Sequence, residues 1–301
     1  MNTQLKGITY ITLSAFFFGT YGVWSRLIGD SFGNFFQAWS RGLFLLIILI
    51  PFALWKKQIK TIQKEDLVWF IAMALAGGLN QAPYFYAFHH LDIGTATLLF
   101  YASLTIGCYV IGKLFFNERM TFIKYLSLFL ALLGMSMIFS FSLSGAFLAT
   151  IAAVIAGFMG ATVVSLSKKV SSSYSPLFPL LCDFLVMFLA NSVISLLIHE
   201  QMIRIITLDA VIGALGYAIT MVFANVLAII GFRYTTASIG GLIGLSEILF
   251  AALFGLLFFG QHPGNTALLG GTLIIAAAAL PNLPFGRKDS IDHFFFSRDT
   301  A

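Results

Sequence analysis

Three ionisable side chains stand inside long apolar stretches of this chain: Arg41, Asp183 and Glu247. A charge placed in hydrocarbon costs several kcal/mol, so each must face a partner or a wet cavity, and each is a candidate for holding a proton or a charged ligand. Arg41 and Asp183 are 142 residues apart, close to an interval at which the chain repeats itself. The stretch from Ile93 to Arg119, IGTATLLFYASLTIGCYVIGKLFFNER, returns 143 residues later as TASIGGLIGLSEILFAALFGLLFFGQH, Thr236 to His262. Arg41 and Asp183 therefore hold equivalent places in two similar halves. Two readings stay open: a direct ion pair across the molecule, or substrate or a proton competing for one of the two.

Polar residues extend the pattern. Asn34, Gln37 and Arg41 follow an i, i+3, i+7 spacing and so line one helix face, which can border a cavity. Asn80 and Tyr84 stand four apart with Gln81 and Tyr86 nearby, and a later helix carries Tyr217 and Asn225. These groups are either ligand contacts or interhelical hydrogen bonds worth ~0.6 kcal/mol each. Glu247 shares a face with Gly240, Gly244 and Ala251. Small residues let a neighbouring helix close over that carboxyl, which then either binds a proton in function or ties helices together as a neutral acid. His89, His90 and Asp92 resemble metal ligands, but they fall at a helix junction where Asp92 reads better as an N-cap, so no metal site is expected. No phosphate loop, nucleophile elbow or zinc-helix motif is present, so neither a cofactor nor an enzymatic reaction is expected.

The elements that must position these residues follow from composition. With 59% hydrophobic and 10% charged residues and a mean hydropathy of +0.94, the chain has too little polar surface to coat a soluble globule. It predicts an all-α integral membrane protein. Apolar runs predict ten spanning helices, at 7–28, 33–54, 67–88, 92–116, 121–141, 145–167, 175–198, 208–232, 236–259 and 265–285. The first reads as a permanent helix rather than a cleaved signal. Glycines at 19, 22, 77, 78, 157 and 160 predict close helix packing, and Pro83 beside Asn80 and Gln81 predicts an interrupted hydrogen-bond ladder. Cys108 and Cys182 lie inside apolar runs and predict packing, not a disulfide.

Lys and Arg alternate between sides. Lys6, Lys56, Lys57, Lys60, Lys64, Arg119, Lys124, Lys168, Lys169, Arg233, Arg287, Lys288 and Arg298 fall on one, against Arg26 and Arg204 on the other. Cytoplasmic loops carry the excess, so both termini are expected in the cytoplasm and the protein in the cell membrane. Five helices per half then invert the second half relative to the first, with residues 1–143 and 144–286 as the two repeats and 287–301 as a polar tail. The formal charge of +5 is spread over short loops and does not point to nucleic acid.

At the ends of predicted helices four and nine the sequence resembles the EamA type of the drug/metabolite transporter superfamily. LFFNERMT, with Gly134 sixteen residues beyond Glu118, resembles that family's Gly-Glu-Arg-Leu-Thr turn. Glu247 resembles the Glu of its Glu-Pro pair, Gly270 a glycine of its tenth helix, and Arg41 an arginine of its second. Thr105 and Ile248 stand where the family often has Pro, and Gln261 where it has Glu. The resemblance implies alternating access to a central cavity and movement of small metabolites, amino acids or drugs, often outward.

The expected protein is thus a gradient- or exchange-driven secondary transporter, with Gln37, Arg41, Asn80, Gln81, Tyr84 and Asn225 binding substrate and Asp183 or Glu247 carrying any proton. A passive channel or facilitator using the same cavity is the alternative reading, followed by a non-transport membrane protein.

Overall fold

The computed structural model describes residues 3–29, 31–91, 93–138, 147–170, 174–260, 262 and 264–282. Asp92, Gln261, the polar tail and the side chains of Asn34 and His89 lie outside the described residues, with the expectations placed on them.

Twelve α-helices and a terminal 3-10 turn account for most of the described chain: α1 (Thr3–Gly19), α2 (Tyr21–Ile28), α3 (Asn34–Trp55), α4 (Lys64–His90), α5 (Ile93–Phe116), α6 (Phe122–Ile138), α7 (Phe147–Leu166), α8 (Leu177–Leu197), α9 (Leu208–Arg233), α10 (Ala237–Gly244), α11 (Ser246–Phe259) and α12 (Asn265–Ala279). Six segments are long and apolar enough to cross a membrane, counting α10 and α11 as one, and α6 and α12 are shorter apolar helices. Among the described residues there is no strand, only an isolated bridge between Phe32 and Ile203.

Two predicted helices are each divided. Between α1 and α2 the Thr20 hydroxyl donates to Phe17 O at 2.6 Å, and the Thr20 N–H also bonds three residues back. Between α10 and α11 the Ser246 hydroxyl donates to Ile243 O at 2.7 Å, and Leu245 N–H bonds Leu242 O. In both places a hydroxyl and a tightened i−3 bond replace part of the α ladder. Pro83, in contrast, is accommodated inside the single helix α4.

Helix ends repeat their geometry at the sequence interval. Lys57 after α3 and His199 after α8 are both left-handed, at φ 50°. Each is followed by a residue whose N–H reaches five residues back, Gln58 to Ala53 O and Glu200 to Ser195 O, which closes the last turn. Asn117 (φ 49°) and Gly260 (φ 63°) form a second such pair after α5 and α11. The residues following these turns reach across the molecule. Glu200 accepts the Phe35 and Phe36 N–H groups at 2.9 and 2.8 Å and so caps α3, while Gln58 accepts the Ser175 hydroxyl at 3.1 Å just before α8. Glu118 caps α10 by accepting Ala237 N–H and the Ser238 hydroxyl, both at 2.6 Å, and takes a 3.2 Å bond from Lys124. This ion pair is nearly dry, with the two side chains 11% and 5% exposed. Glu118→Ala is therefore expected to destabilise the protein by about 3 kcal/mol, because it removes a cap and strands a buried ammonium. Thermal melts in detergent read this loss.

The helices pack as α3 on α8, α6 on α12, α5 on α7, α1 on α9, and α4 against both α7 and α8. α6 and α12 cross at Gly134 and Gly270, where a Cβ on Gly134 would stand 2.6 Å from Gly270 O and a Cβ on Gly270 would likewise strike Gly134 O. Backbones that close require glycine on both sides. The basic loops gather at one end of the bundle: Lys169 sits over Trp69 and Phe116, Lys168 donates to Thr235 O, and Arg233 donates to Tyr174 O. Arg26, over the Phe259 ring, and Arg204, bonded to Ser31 O, mark the other end.

Candidate functional site

α1, α5, α7, α9, α10 and α11 surround a cavity whose lining is apolar except near Glu247; Ser14, Phe18, Tyr101, Leu104 and Gly244 line it with that carboxyl. Glu247 lies in the first turn of α11, two residues past the break at Leu245. The Tyr101 hydroxyl of α5 donates to Glu247 Oε1. From there aromatic rings continue outward: Tyr101 meets Phe100 edge-on, and Phe100 stacks on Tyr84 of α4 at 4.3 Å between centroids. On the α1 side, Phe18 meets Tyr21 edge-on, and Tyr21 stacks on Tyr217 of α9 at 4.1 Å.

Tyr217 carries the second charged group. The Arg41 guanidinium lies over its ring, 3.7 Å from the centroid, an attraction worth up to about 2 kcal/mol when water is excluded. Arg41 is only 7% exposed and, among the described residues, forms no ion pair; the one present joins Lys124 and Glu118. Tyr21 and Tyr217 are near enough to feel both Arg41 and Glu247 electrostatically. The Tyr21 hydroxyl and the Trp39 indole nitrogen are buried without partners. A guanidinium and a carboxyl thus flank a belt of phenols that still has donors to offer.

Arg41 and Asp183 do not pair. Each points at its own neighbour, Arg41 at α9 and Asp183 at Gly77 of α4, and they do not meet across the α3–α8 contact. Sequence interval alone could not give this, because equal register fixes the height of a side chain and not which seam it enters.

The predicted amides are partly spent on the fold. Asn80 donates to Ala156 O of α7 at 2.7 Å, Asn225 to Met221 O of its own helix at 2.8 Å, and Gln37 to Phe32 O at 3.1 Å. Gln81 Oε1 is buried with no partner. Tyr84 reaches Thr97. Tyr101 and Tyr21 were not anticipated. A signal existed for Tyr101: it stands one turn before Leu104, which occupies the repeat position of Glu247.

Gly244 was expected to admit a neighbouring helix, yet a Cβ there would meet nothing within 4 Å, because it faces the cavity. Gly244→Leu is therefore expected to leave the melting temperature unchanged or higher, since leucine is the better helix former by ~1 kcal/mol, while ligand binding falls about tenfold or more as the cavity fills. Parallel melts and binding assays check both halves of this expectation.

The EamA-like transporter family model matches the chain twice, over residues 5–140 and 144–283. No curated protein matches it. A protein of known crystal structure is 16% identical, with 93% of this chain and 98% of that one covered and a TM-score of 0.74, which shows a shared fold. Two family matches spanning nearly the whole of an apolar, all-helical chain lead to one assignment: this multi-pass membrane protein belongs to the EamA-like transporter family.

Proposed function

We propose that the protein is a secondary transporter that moves a small metabolite, amino acid or drug out of the cell by alternating access. In this reading ten spans form two inverted repeats, residues 1–143 and 144–286, with both termini cytoplasmic in the cell membrane. The crowding of basic side chains at one end of the bundle supports the orientation. The left-handed turns that recur after equivalent helices support the repeat.

The observation that carries the proposal is the placement of Arg41 and Glu247 on either side of a tyrosine belt. Arg41 binds the anionic part of the substrate, because its guanidinium is held by a ring face and keeps N–H donors for a ligand. Tyr84, Gln81, Asn80, Asn225 and Gln37 complete the contacts, the last three through their amide oxygens. Glu247 exchanges a proton as the cavity changes sides, with Tyr101 handing its hydroxyl to whichever form is present. Energy comes from an ion gradient or from exchange.

Untargeted metabolite profiling of culture medium tests the proposal, comparing cells that overproduce the protein with cells producing an equal membrane level of the Gly244→Leu form. A small set of metabolites enriched only by the parent supports export. Matched media count against it.

A further inference from the structure

Asp183 is not part of the cavity, and its surroundings are unusual for a carboxyl. It is 6% exposed, its Oδ1 has no hydrogen-bond partner, and it is pressed on the bare backbone of Gly77, where any Cβ would overlap it. Among the described residues it forms no ion pair. From α4 it meets Gly77, with the uncharged Gln81 one turn on; from α3 the charged residue is Arg41, which is turned to Tyr217 and forms no ion pair. On its own helix the nearest titratable group is Cys182. An ionised carboxylate with an unsatisfied oxygen in such a place costs several kcal/mol, whereas the neutral acid costs far less.

The seam that holds it has a counterpart. Asp183 lies between α8 and α4, and the equivalent helices of the other half are α3 and α9, where Arg41 lies. The two seams differ. α4 and α8 are packed closely, with Gly78 against Val186 and the Asn191 amide donating to Gly78 O at 3.0 Å, whereas α3 and α9 barely touch. One conformation thus has one seam shut over a carboxyl and its counterpart sparsely packed, bridged by Arg41 on Tyr217.

We infer that Asp183 is a proton-binding site distinct from Glu247, and that its protonation latches the α4–α8 seam on the Gly77 seat. Loss of the proton leaves an uncompensated charge in the seam and drives the helices apart to admit water. The closed seam therefore takes up a proton that the separated one releases, so closure is favoured at low pH and lost as pH rises. The role of this latch in transport rests on the alternating-access reading, but the latch itself does not.

Distance measurement separates the two. Spin labels at Tyr86→Cys on α4 and Val193→Cys on α8, both exposed positions, are placed in a background with Cys108 and Cys182 changed to Ala, in lipid nanodiscs. Electron double resonance from about pH 5 to about pH 9 is expected to show a short separation giving way to a longer one, their ratio changing by up to about tenfold per pH unit, the slope of a single proton. Asp183→Asn, a neutral mimic, should hold the short distance throughout. Gly77→Ala, which obstructs the seat, should hold the long one, and Glu247→Gln should keep the pH response. A parent distance that does not respond to pH, or a response that survives Asp183→Asn, overturns the inference. Absence of transport with the latch behaviour intact would instead count against the transporter reading alone.

Discussion

Arg41→Ala is expected to weaken substrate binding about 100-fold, close to 3 kcal/mol, while leaving the fold intact or more stable. The two parts of this expectation share one cause. The guanidinium is buried over the Tyr217 ring without a carboxylate partner, so the protein carries the cost of its desolvation with only neutral contacts to Tyr217, the ring face and a hydrogen bond, to offset it. Truncation relieves that cost in the empty protein and removes the main attraction for an anionic ligand in the occupied one. Arg41→Lys should recover little, because an ammonium on a flexible stem neither lies flat on the ring nor presents a forked donor pair. Ligand-induced thermal shifts, measured with the metabolite that profiling identifies, give affinity and stability from one titration.

Glu247→Gln is expected to abolish coupling to a pH gradient and to spare exchange. A carrier that moves one proton per substrate can sustain about a tenfold accumulation for each unit of pH difference, and the amide should reduce that ratio to about one. Exchange of substrate for substrate at equal pH should continue, since the amide oxygen can still accept from Tyr101 and the belt is undisturbed. Proteoliposomes with and without an imposed gradient distinguish these outcomes. Coupling that persists in Glu247→Gln would move the carrier role elsewhere, with Asp183 the next carboxyl to test.

Hydropathy made the helices legible, and each described helix overlaps a predicted run, with α1, α3, α4 and α9 extending past it, because a bilayer demands long apolar segments. The two breaks were not legible. Thr20 and Ser246 look like ordinary helix residues until their hydroxyls are seen bonded to the preceding turn, and apolar composition does not change across either site. The charged residues were found because hydrocarbon makes them conspicuous, but their partners were not. Arg41 could be matched to Asp183 by interval, whereas its contact with Tyr217 depends on which way α3 is rotated. Gly244 shows the same limit in reverse: a glycine written for packing and one written to leave space read alike, and only its surroundings decide.

The central claim is that one site, between Arg41 and Glu247, is presented to the two sides of the membrane in turn. Counterflow tests it most directly. Proteoliposomes loaded with unlabelled substrate and diluted into a trace of labelled substrate should accumulate the label transiently, and should do so faster than empty vesicles, because a loaded carrier returns with cargo. Label that merely equilibrates, at the same rate whether or not the vesicles are loaded, would describe a pore and contradict the account.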